Sequence, residues 1–120
     1  MVYIREAHAA DGSSPLPIKG EADILTPKTA EDRCGIASRF LAKKRFKYLV
    51  VTDDLKDSVD KAYDAFPDRL YVVDADGKVA IQGAPGPFGF EDSIKRVKKW
   101  LFDYRRSLGD SAKKSKIRGS

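Results

Sequence analysis

Glu6 and His8 stand two residues apart, just past the apolar run Val2-Tyr3-Ile4. If the chain stays extended there, both fall on one side, at the C-terminal edge of a strand, where α/β sheets place their sites. A carboxylate beside an imidazole can pass a proton to a leaving group or to a thiol or selenol, so both are catalytic candidates for proton transfer. The bland alternative is a solvent-exposed loop histidine paired with a carboxylate. Arg69 opens a second strand-like run, and its planar fork can grip a carboxylate or phenolate; the alternative is an ordinary pair with Asp68 or Glu6. Cys34 is the single cysteine. Reductive chemistry needs a chalcogen at a helix N-terminus, where the dipole lowers its pKa. Cys34 instead falls well inside a predicted helix, on its apolar stripe, and is expected to be a small buried core residue, dispensable for any reductase activity.

Two further motifs fail on their chemistry. Asp74-Ala75-Asp76-Gly77 resembles part of a calcium loop, but with Gly77 at the sixth position the first and twelfth ligands would be Val72 and Gly83. Gly83, Gly86 and Gly89 lie between a strand and a helix, as in a phosphate loop, yet Pro85 and Pro87 remove two of the N–H donors such a loop uses. A turn is the better reading. One cysteine also rules out an internal disulfide and a multi-cysteine metal site, and no cofactor or metal is expected.

The elements that must position these residues follow from periodicity. Leu70 to Val73 reads as a strand buried on both faces, Asp76-Gly77 as a tight turn with positive φ, and Val79 to Gln82 as the returning strand with one buried face. This hairpin is expected to close one side of a mixed sheet. Thr26-Pro27, or Thr29 with Asp32, opens a helix to about Lys44 whose apolar stripe is Ala30, Cys34, Ala37 and Leu41. Tyr48 to Val51 reads as a buried strand. Asp53 and Asp54 cap a helix carrying Leu55, Val59, Ala62, Tyr63 and Phe66, ended by Pro67. Phe90, Ile94, Val97, Leu101 and Tyr104 form the stripe of a last helix, with Glu91 and Asp92 in its first turn.

The formal charge of +5 has a single source. Residues 1–104 carry 17 Lys/Arg and 17 Asp/Glu, while residues 105–120 carry six and one. The excess therefore lies in a tail with little to bury, so 1–106 is expected to be the domain and 107–120 a basic disordered tail. Nucleic-acid binding is set aside, because it needs basic residues clustered on folded elements. No apolar run approaches the ~20 residues of a membrane span, and no export signal opens the chain. A soluble, cytoplasmic protein without a membrane segment is the expectation.

Three stretches resemble the iodothyronine deiodinases in order and spacing: Tyr3-Ile4-Arg5-Glu6-Ala7-His8-Ala9-Ala10-Asp11-Gly12; Glu31-Asp32-Arg33; and Tyr63 through Arg69-Leu70-Tyr71-Val72-Val73 to Gly83, Gly86-Pro87 and Gly89-Phe90. The resemblance implies a thioredoxin-like α/β fold, a mixed sheet flanked by helices, and reductive selenol or thiol chemistry on an iodothyronine or related substrate. In that family the selenocysteine sits on the turn after the first core strand. The first βα unit is missing or incomplete here, since the chain opens at the second core strand. The reading frame upstream of Met1 is accordingly expected to encode another strand, a selenocysteine or cysteine codon and a helix. The absent strand would be central, so the chain alone is expected to fold poorly. The resemblance further implies that Arg69 and Tyr63 bind substrate. Two positions depart from the pattern: a family tryptophan is Ser13 and a second histidine is Pro27. The implied partners are a small-molecule substrate and a thiol reductant, with a homodimer as the candidate assembly. The alternative is a catalytically inactive thioredoxin-like binding module.

Overall fold

The structure is a computed structural model that describes residues 1–17, 19–20 and 22–119. The chain divides into two compact units, Met1–Pro67 and Asp68–Ser120.

In the first unit, β1 (Val2–Tyr3) pairs in parallel with β2 (Val51–Thr52), and α1 (Ala30–Lys44) and α2 (Ser58–Tyr63) complete it. Thr29 starts α1 through a capping box. Its hydroxyl accepts from the Asp32 amide at 3.1 Å, and the Asp32 carboxylate accepts from the amides of Thr29 and Lys28, each at 3.0 Å. Those bonds, with Lys28 first, hold the Asp32 carboxyl below its ordinary range. Asp53 and Asp54 serve the N-terminus of α2 as predicted, though from outside the cap position, which Asp57 holds. The Asp53 carboxylate accepts from the amides of Val59 and Asp60 at 3.0 and 2.9 Å, and that of Asp54 from Ser58 N and Oγ at 3.1 and 2.6 Å. α2 closes at Tyr63, three residues earlier than the periodicity suggests.

Two expectations fail in this unit. Tyr48 and Leu49 lie outside β2 and are 75% and 82% exposed, because β1 offers only two residues to pair with. Cys34 is exposed rather than buried. The inward face of α1 is Arg33, Ile36 and Ala37, and Cys34 stands about 100° around the helix from Arg33. A charged residue, not the apolar stripe, sets the rotation of α1.

In the second unit, β3 (Tyr71–Val73) and β4 (Val79–Gln82) form an antiparallel hairpin with Val72 opposite Ile81 and a bulge between Val72 and Val73. Gly77, at φ +78°, is the one residue of the Asp76-Gly77 pair that takes positive φ. The Asp74 carboxylate ties the turn by accepting from the amides of Asp76 and Lys78 at 2.9 and 3.1 Å. Ile81 is buried as expected, but Val73 and Val79 are about half exposed, so β3 is not covered on both faces. The Gly83 amide donates to the Leu70 carbonyl at 2.7 Å, and a Cβ on Gly83 would lie 2.7 Å from the Ser93 hydroxyl. Only glycine allows that approach. Ser93, fully buried, donates from Oγ to the Gly89 carbonyl and accepts from the Ala84 amide, locking the loop onto α3 (Phe90–Arg118).

α3 does not stop where burial stops. Residues 107–118 are helical, against the expected disordered tail, and Ser120 lies outside the described residues. Half of the segment is Ala, Leu, Lys or Arg, which form helix well, it has no proline, and it ends with Lys116 and Arg118 where the dipole favours cations.

The predicted mixed α/β class holds, and the element order is consistent with a thioredoxin-like chain. Both senses of strand pairing occur, but in two two-stranded sheets rather than in one mixed sheet. Among the described residues, β1 pairs only with β2 and β3 only with β4, leaving each an open edge.

Candidate functional site

The side chain of Glu6 turns into the first unit as β1 ends and is 7% exposed. There it meets Arg33 of α1, itself 5% exposed, with Nη2 3.6 Å from Glu6 Oε2. Arg33 Nη1 is 3.3 Å from Asp57 Oδ1 and donates to the backbone carbonyls of Asp53 and Asp54. The guanidinium thus fastens α1 to the β2–α2 connection and holds a positive charge against Glu6. Tyr3, three residues before, lies close enough to Glu6 to feel its charge. The Tyr3 pKa is pushed up to about 12, first by burial and then by the charge of Glu6, against the pull of Arg33 and Arg39. Glu6 Oε1 is buried without a hydrogen-bond partner among the described residues.

His8 is exposed, with Nδ1 2.8 Å from the Ser14 carbonyl. If Nδ1 carries the proton to that carbonyl, Nε2 is the nitrogen that accepts. The predicted same-side placement of Glu6 and His8 relied on an extended chain, but the backbone bends at Ala7 and His8. Glu6 faces inward and His8 faces solvent. Tyr63 is the last residue of α2 and is 44% exposed. Arg69 belongs to the second unit, where its Nε donates to the Gly83 carbonyl at 2.7 Å. Cys34 lies in the second turn of α1 with Sγ 3.4 Å from Thr52 Oγ1, away from the helix N-terminus that would activate it.

Sequence reasoning missed the parts Tyr3 and Arg33 play around Glu6. An arginine on a helix reads as a solvated position, because arginine is almost never fully buried unless paired. The one available signal was the absence of any apolar residue at that place on the inward face.

The Tyr3 shift makes a direct prediction. In an absorbance titration of tyrosinate, one of the five tyrosines should ionise near pH 12, and Tyr3→Phe should remove that step alone. Because the folded value is raised above the ordinary 10.0, Tyr3 supports the fold below pH 10 and that support is lost as pH rises from about 10 through about 12. The Phe variant should show a shallower loss of stability over that window. All tyrosines titrating together near the ordinary value would refute the buried Tyr3–Glu6 contact.

The family model for iodothyronine deiodinase matches residues 1–105. Thyroxine 5-deiodinase of Sparus aurata is 37% identical over 113 residues, covering 92% of this chain and 39% of the relative. That of Aquarana catesbeiana is 35% identical, covering 93% and 40%, and that of Homo sapiens 31%, covering 90% and 34%. The chain spans about two fifths or less of the length of these curated relatives. The expectation of a cytoplasmic location is corrected by this finding: deiodinase homologues are integral membrane proteins, although no described helix here is long and apolar enough to cross a membrane. With the match running through Glu6, His8, Arg33 and Arg69, the chain belongs to the iodothyronine deiodinase family.

Proposed function

We propose that this chain is the proton-handling part of a deiodinase-like, thioredoxin-fold oxidoreductase that acts on thyroxine or a related iodothyronine, and that its selenol or thiol nucleophile lies in sequence outside these 120 residues. Reductive removal of iodine replaces a carbon–iodine bond with a carbon–hydrogen bond. Two electrons and one proton go to the ring carbon, iodide leaves, and two reductant thiols become a disulfide with release of the second proton. A chalcogen takes the iodine, but a proton must still be delivered. The observation that carries the reading is the buried carboxylate of Glu6, held between Arg33 and Tyr3 with one oxygen unpartnered, in a chain matched by the deiodinase family model. His8, with its ring oriented by Ser14, is the solvent-side partner that exchanges the proton. Arg69 and Tyr63 are proposed to contact the substrate, the arginine at a carboxylate or phenolate. The open edges of β1 and β3 support a further strand from outside the chain.

The test is iodide release from thyroxine with a dithiol reductant, by this chain preceded by a strand, a cysteine or selenocysteine and a helix. Release is expected. Thyroxine binding without release would favour the inactive binding module instead.

A further inference from the structure

The family match ends at residue 105, and the basic excess of the chain begins there. The helical course of 107–118 changes what that excess means, because an α-helix fixes which residues share a face. At 100° per residue, Arg105, Arg106, Lys113 and Lys116 fall within an arc of about 100°. Phe102 and Ile117 lie on the same side, one before and one after the basic residues. They are 62% and 74% exposed, about 22 Å apart along the axis. None of the four basic residues has an ion-pair partner among the described residues; Arg106 stands over the Phe102 ring at 5.9 Å. Every described residue after Tyr104 is exposed.

We propose that this face of α3 is a docking surface for an anionic lipid bilayer. The helix lies along the membrane, its arginines and lysines among anionic headgroups and Phe102 and Ile117 inserted at the acyl boundary. A phosphate backbone would satisfy the charges equally well. It offers nothing to the two exposed apolar side chains that bracket them, whereas a bilayer interface takes both. Phe102 and Arg105 close the matched region, and Arg106, Lys113, Lys116 and Ile117 lie beyond it; the surface uses none of the residues proposed for the deiodinase chemistry.

The whole chain would be floated with vesicles of phosphatidylcholine and phosphatidylserine, and with phosphatidylcholine alone. Binding is expected only to the anionic vesicles and should weaken as salt is raised. Replacing Arg105, Arg106, Lys113 and Lys116 together with glutamine should weaken it at least about a hundredfold. Lys113→Gln with Lys116→Gln should weaken it more than Lys114→Gln with Arg118→Gln, which removes equal charge from outside the arc. Phe102→Ser with Ile117→Ser should abolish the binding that persists at high salt. The helix is exposed, so far-UV circular dichroism should confirm that all variants stay folded. Equal binding to both vesicles, equal effects of the two lysine-containing pairs, or tighter binding to duplex DNA than to anionic vesicles at the same salt would overturn the proposal.

Discussion

In a protein that carries the nucleophile, Glu6→Gln should lower iodide release by about 10²- to 10⁴-fold, the range a positioned acid–base group supplies. Glutamine keeps the size of the side chain and can still accept from Arg33, so the local packing survives. It cannot carry a proton between states. The loss should therefore appear in kcat with KM nearly unchanged, since Glu6 is 7% exposed and buried against Arg33. The Tyr3 pKa should fall as well, because the charge of Glu6 is one of the causes that raise it. Stopped catalysis together with an unmoved tyrosine titration would mean that Glu6 is not where the structure places it. A rate close to that of the unmodified protein would remove Glu6 from the mechanism.

Arg33→Ala should unfold the first unit. Removing one partner of a buried pair leaves the other charge uncompensated, at a cost of about 3–5 kcal/mol. Here it would strand Glu6 and release the carbonyls of Asp53 and Asp54 together with Asp57. The buried hydrophobic residues among the described residues of this unit are Ala9, Ile36 and Ala37, which offers little to absorb such a loss. Far-UV circular dichroism and amide exchange of α1 should both report it, with protection of Ile36 and Ala37 lost. Arg33→Ala combined with Glu6→Gln should recover part of the loss, because no buried carboxylate then stands alone. An Arg33→Ala chain with native protection in α1 would show that the ion pair is incidental to the fold.

Local rules were legible in the sequence, and contacts between distant segments were not. The capping box at Thr29 and Asp32, the α1 boundary at Lys44, the positive φ of Gly77 and the start of α3 at Phe90 follow from residue types a few positions apart. The rotation of α1 was lost because Arg33 is buried by partners about twenty and more residues away, and periodicity counts only apolar side chains. That error exposed Cys34 instead of burying it. The burial of β2 was overestimated because a strand's cover depends on its partner, and β1 pairs over two residues. Spacing singled out Glu6 and His8 as candidates, but the bend at Ala7 that separates their directions is a loop property with no periodic signal. Arg69 stood out as a candidate at the start of a strand-like run, and its anchor at the Gly83 carbonyl arises from the register of the hairpin.

The central claim is that these residues handle the proton while the nucleophile comes from elsewhere. The most direct measurement is iodide release from thyroxine, with a dithiol, by the 120-residue chain itself and by its Cys34→Ser variant, beside the same pair carrying an upstream nucleophile. Neither short chain should release iodide, and both extended proteins should do so at equal rates. Release by the short chain that disappears with Cys34→Ser would contradict the account, because it would make the exposed cysteine of α1 the nucleophile.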